Sequence, residues 1–87
     1  RNKDDLAAIS TLGFRGEALA AGEHKTVHGS EGMMLIYCGV GEVHVIVGDE
    51  SVELKADEAA RLDGYAGEIK LCSKTGAKLM LAKAKEI

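Results

Sequence analysis

Residues 33–48, MMLIYCGVGEVHVIVG, constrain the fold more than any other stretch of the chain. Met33 to Cys38 is unbroken apolar sequence, as expected of a strand covered on both faces. Glu42 to Val47 alternates, with Val43, Val45 and Val47 on one side and Glu42, His44 and Ile46 on the other. A helix over this stretch would carry a β-branched cluster together with three glycines, which side-chain rotamer loss and backbone entropy both oppose. Gly39 and Gly41 between the two runs predict a tight turn, and hence a β-hairpin at the centre of an all-β core. A nucleotide-binding glycine loop is excluded, because a strand-like run and not a helix follows it.

Glycine-punctuated short runs continue on both sides of this centre. They predict strands near 17–20, 24–28, 33–38, 42–48, 51–55, 59–63, 67–73 and 78–84. Short strands at regular spacing point to an antiparallel sandwich or small barrel, since crossover helices have no room between them. Ahead of them, residues 2–12 carry a helix signal: Asn2 as N-cap, Asp4 and Asp5 in the first turn, Leu6, Ile9 and Leu12 at helical spacing, and Gly13 as the stop. The expected organisation is an N-terminal helix and glycine-rich turn over 1–16, then a β domain over 17–87.

Eighty-seven residues make one domain, of a size at which folding leaves much surface exposed. With only Phe14, Tyr37 and Tyr65 as aromatics, the core must be built from aliphatic residues and alanine, which bury less area each. A thin core favours self-association, and a homodimer is expected. A net charge of −3 with interspersed signs excludes a nucleic-acid backbone as partner, because counterion release needs clustered Lys and Arg. No apolar run approaches the roughly 20 residues that span a bilayer, and the first residues have no apolar signal core. A cytoplasmic protein without a membrane partner is therefore expected. Cys38 and Cys72 both fall within predicted strands, which fits buried reduced thiols; a disulfide requires those strands to be neighbours.

The stretches AAGEHKTVHGS, MMLIYCGVGEVHVIVGDE, VELKADEAARLDGYAG and EIKLCSKTGAKLMLAKA resemble, in order and spacing, the strands and turns of the cupin superfamily, most of all the reduced C-terminal modules of its pirin-like group. The resemblance covers about residues 17–84 and implies a small jelly-roll barrel. A metal-binding cupin carries two His and a Glu in its first motif and another His in its second. Here the second His position of the first motif is Ser30, and the second motif, Asp63 to Gly67, contains no His.

DDLAAISTLGFRGEALA, residues 4–20, resembles a different family: the ATP-lid motif of the MutL mismatch-repair ATPases, with Gly13, Arg15, Gly16 and Leu19 at the matching positions. That resemblance implies a glycine-rich turn whose helix N-terminus cradles phosphate, with Gly13, Arg15 and Gly16 as the binding residues. The partner elements of such an ATPase, a general-base Glu and a Mg-binding Asn upstream, do not precede residue 4. Two readings stay open where the resemblances meet, near 17–22. One is a fusion, natural or artificial, of an ATPase-derived segment with a cupin-like half; in the other, GEALAAGE is simply the first cupin strand.

His24 and His28, four apart, share one face, and His44 on the central run is the third candidate ligand for a divalent metal, with Glu31 or Glu42 supplying oxygen. Solvated histidines on exposed strand faces explain the same residues without a metal. Ser10, Thr11, Ser30 and Ser51 lack the sequence-local His or Asp that marks a nucleophile. The expected function is a non-catalytic cupin-like binding or interaction module that requires no cofactor and whose small-molecule ligand is not specified by these residues. The alternatives are a metal-dependent cupin enzyme using His24, His28 and His44, and residual phosphate binding by GFRGEAL.

Overall fold

The computed structural model describes residues 13–84. They form seven strands: β1 (Gly13–Leu19), β2 (His24–His28), β3 (Met33–Val47), β4 (Glu50–Lys55), β5 (Ala59–Asp63), β6 (Glu68–Cys72) and β7 (Ala77–Ala84). All pairings are antiparallel. The all-β expectation holds over these residues, among which there is no helix, and so none long and apolar enough to cross a membrane. The helix expected over 2–12 lies outside the described residues.

The central hairpin is corrected. Residues 33–47 are one 15-residue strand, and its two halves belong to different sheets. Met33–Tyr37 pairs with β5 on one side and β7 on the other, giving sheet A in the order β1-β7-β3-β5. Glu42–Val47 pairs with β4, and His44–Ile46 with β6, giving sheet B in the order β4-β3-β6-β2. Gly39 and Gly41 serve not a turn but a bulge against β7, where the register slips between Cys38 and Val40.

That slip is what keeps one strand facing one core. Before it the inward residues are Met34, Ile36 and Cys38, all 0% exposed; after it they are Val43 and Val45, with Val47 packed behind them. Side chains alternate strictly along a strand, so an even-to-odd change needs one extra residue, which a bulge supplies. Two-sided burial of 33–38 is also corrected: Met33, Leu35 and Tyr37 point outward from sheet A and are only partly covered.

The expected first strand, 17–20, begins earlier, at Gly13, and pairs with β7 throughout. It therefore crosses the expected boundary between residues 16 and 17.

Leu19, Val27, Leu54, Ile69, Leu71, Leu79 and Leu81 complete the core between the sheets. At one seam, edge strands β1 and β2 are tied by Lys25, whose Nζ lies 3.1 Å from Glu17 Oε2 and donates to the Ala18 carbonyl at 2.9 Å. At the other seam, between β4 and β5, a cleft of about 430 Å³ stays open, lined by Val47, Val52, Ala60 and Leu62 with Glu50 and Arg61 at its rim.

Cys38 is fully buried, and burial pushes its thiol pKa up; Cys72 is partly exposed on the outer face of sheet B. Both are free, and their opposite orientations rule out a bridge although β3 and β6 are neighbours. Thiol titration of the native protein is expected to modify Cys72 and to reach Cys38 only on unfolding; equal rates for both would contradict this packing.

Candidate functional site

The chemistry-bearing side chains gather on the outer face of sheet B. Residues directly opposite each other on paired strands share a face, and the register sets Glu53, His44, Cys72 and His24 in one row across β4, β3, β6 and β2. Gly48 and Asp49 form the two-residue loop between β3 and β4, with Gly48 at a φ of 60°. Such a loop fixes the register, and with it Glu53 opposite His44.

Glu42 stands two residues before His44 on the same face and is held from the side by the turn between β6 and β7. Its Oε1 accepts from Lys74 N–H at 2.7 Å, Thr75 N–H at 2.9 Å and the Thr75 hydroxyl at 3.1 Å, with the Ser73 hydroxyl 3.0 Å away. Ser73 is buried; its hydroxyl lies 2.6 Å from the Glu42 carbonyl oxygen and accepts from Gly76 N–H at 2.9 Å. The Thr75 backbone donor, with the other donors, outweighs partial burial and holds the Glu42 carboxyl down at about 2.

The second oxygen, Oε2, points the other way. It lies 4.0 Å from His44 Nε2, which is itself 3.3 Å from Glu53 Oε2. Glu42 Oε2 and His44 Nε2 are both buried from solvent and neither has a hydrogen-bond partner. One donor atom from each of Glu42, His44 and Glu53 lies within 4.8 Å of the others. Two carboxylate oxygens and one imidazole nitrogen converge here.

The expected histidine set is placed differently. His24 and His44 both stand opposite Cys72, on either side of β6, so their backbones are about 10 Å apart. His28 lies at the far end of β2, opposite Glu68 and about 13 Å along the strand from His24. All three histidines face outward from sheet B, but among the described residues only His44 belongs to a cluster of three ligand-type groups, and of the expected oxygen donors Glu42 joins it whereas Glu31 lies in the β2–β3 turn. Glu53 was not singled out from the sequence; the Gly48-Asp49 loop was the signal that pairs it with His44.

Gly13, Arg15 and Gly16 lie in β1, an edge strand bonded to β7. Arg15 Nε is 3.1 Å from Glu17 Oε1. A strand sends successive N–H groups to alternate sides, so this segment does not form the converging helix N-terminus that the ATP-lid resemblance implies.

No known family profile matches the chain, and no curated protein does. Solved structures do. A cupin superfamily protein from Desulfitobacterium hafniense superposes with a TM-score of 0.74 at 14% identity, over 86% of this chain and 68% of that one. An HTH_3 family transcriptional regulator from Vibrio cholerae gives 0.76 at 15% identity, over 92% of this chain but 46% of the regulator, so this chain spans less than half its length. A de novo designed double-stranded β-helix gives 0.64 at 18% identity, over 78% of this chain and 94% of the design. Natural proteins with different descriptions and a designed one share this architecture, so the likeness fixes the fold and leaves the function to the site. The chain has the double-stranded β-helix fold of the cupin superfamily.

Proposed function

We propose that the domain is a non-catalytic cupin-like interaction module that self-associates through the outer face of sheet A. The observation that carries this reading is the composition of that face. The register aligns Phe14, Ala82 and Leu35 in one row across β1, β7 and β3, ending on the charged Arg61 of β5, and Gly16, Met80, Tyr37 and Ala59 in the next, which is apolar as far as β5. Phe14 is 65% exposed and Met80 46%, while Leu35 and Tyr37 are half-buried. A contiguous apolar sheet face left in water is a contact surface.

A second copy is the occupant that the chain itself supplies. A two-fold axis sets the same patch against itself, and sheet-on-sheet packing buries both faces at once. It would also give the unbroken apolar run of β3 the second cover that its sequence calls for. A catalytic reading finds less support, because the centre of the space between the sheets is filled by Met34, Ile36, Val43, Val45, Ile69 and Leu71, all 2% exposed or less, and the cleft left open between β4 and β5 is lined mostly by apolar side chains.

Light scattering on the purified chain is expected to give a dimer whose thermal midpoint rises with protein concentration. Met80→Glu, on the outer face, is expected to give a folded monomer whose midpoint no longer depends on concentration. A wild-type chain that stays monomeric at every concentration overturns the proposal.

A further inference from the structure

We infer that Glu42, His44 and Glu53 form a binding site for one first-row divalent transition cation on the outer face of sheet B. This goes beyond the interaction module and does not depend on it, because the site and the sheet A patch are on opposite sides of the domain.

The donor chemistry selects the class of ion. One imidazole nitrogen with two carboxylate oxygens suits zinc and its neighbours, whereas calcium takes six to eight oxygens and magnesium keeps mostly water. Two carboxylates also bring the charge that such a cation neutralises. The site lies on the outside of the sheet, since Val43 and Val45 on either side of His44 point into the core.

The geometry is close to what coordination needs. Ligands held at about 2.1 Å from a tetrahedral ion are about 3.4 Å apart. The imidazole nitrogen is already 3.3 Å from Glu53 Oε2 and 4.0 Å from Glu42 Oε2, and all three donor atoms fall within 4.8 Å. Small side-chain rotations close the triangle, and water completes the shell from the solvent side, where Glu53 is 44% exposed.

Two independent features indicate that the place is built for a ligand. Glu42 is fixed by its Oε1, which takes the turn donors, leaving Oε2 buried without any donor. His44 Nε2 is likewise buried and unpartnered, although it sits among acceptors. Unsatisfied buried polar atoms are costly, and a cation would satisfy both at once. The two-residue loop after β3 fixes the third ligand opposite the second, so little ordering remains to be done on binding.

The test is calorimetric titration of zinc alone into the untagged, metal-free full chain, with His44→Gln and Glu53→Gln beside it. Glu53 is an exposed residue on an edge strand, so its variant reports on binding without threatening the fold. The expected result is one zinc per chain. Each variant should bind more weakly by at least the ten- to hundredfold that loss of even an outer-shell partner typically costs. A His24→Gln, His28→Gln double variant and a Cys72→Ser variant are expected to bind as the wild type does. Paramagnetic cobalt should broaden the imidazole signals of His44 before those of His24 and His28. The inference is overturned by absence of saturable binding, by full affinity in either ligand variant, or by loss of binding that follows His24, His28 or Cys72 instead. Failure here leaves the dimer reading standing, since light scattering on Met80→Glu reads a different surface.

Discussion

Gly41→Ala is expected to destabilise the domain by roughly 3 kcal/mol or more, a large share of the roughly 5–15 kcal/mol that holds a typical native protein together. Gly41 has a φ of 82°, where a side chain costs about 1–3 kcal/mol on its own. A Cβ there would also collide with the Gly76 carbonyl oxygen and lie 2.9 Å from its carbon. These are backbone atoms, so relief requires β3 and the turn before β7 to separate, at the place where β3 changes sheets. Gly39→Ala is the matched control two residues away. Its nearest contacts are 3.5 Å and 3.6 Å, ordinary van der Waals distances, and its φ is not positive. A change within about 1 kcal/mol is expected there, and toward greater stability, because alanine leaves the unfolded chain less backbone entropy to lose than glycine does. Urea unfolding of the two variants compares them directly, and equal midpoints would remove the bulge from its central role.

Glu42→Gln is expected to flatten the acid side of the stability profile more than any other single carboxylate change among the described residues. The folded-state pKa of Glu42 is lowered from its ordinary 4.5 to about 2, first through the Thr75 backbone donor. A group whose pKa falls on folding binds fewer protons in the native state. Its contribution is therefore complete above the unfolded value and is lost as pH drops through the folded one. The wild type should lose stability between about pH 5 and pH 2, and Glu42→Gln should lose distinctly less over that interval. At neutral pH the same variant should be less stable than the wild type, because the turn donors then meet a neutral amide oxygen in place of a charged one. Urea midpoints at several pH values, in chelator so that bound cation does not contribute, decide the matter. A wild-type profile unchanged by the substitution would mean that the turn does not hold the carboxylate.

The misread hairpin at the centre of the chain has a physical origin. Two β-rich runs joined by Gly-x-Gly are the same local signal whether the chain reverses or merely bulges, because both need glycine to escape ordinary strand geometry. The partners decide between them. β5 and β7 on one half of β3, and β6 on the other, stand well beyond the local window that suggests a turn, and only β4 follows directly. The odd inward residues were visible in the alternation of 42–47, but the even ones were not, because Met33 to Cys38 is apolar throughout.

The site divides in the same way. His44 and Glu42 were legible as ligand types because they sit two apart on an alternating run, which puts them on one face. Glu53 became their neighbour through a loop that sets register, and the donors from residues 73–75 came from a turn more than 30 residues away. His24 and His28 shared a face, as their spacing required, but β6 intervenes between them and His44.

The sequence by itself determined the strand-rich class, nearly all the turns, the inward and outward faces of 42–47 and the shared face of His24 and His28. These follow from side-chain volume, β-branching and glycine punctuation, which act over a few residues. Only the tertiary structure decided that β3 serves two sheets, that the apolar residues of sheet A face outward as well as inward, and that Glu42, His44 and Glu53 meet. Pairing and burial are set by which distant strands compete for the same hydrogen bonds and the same core, and no local property of the chain specifies that outcome.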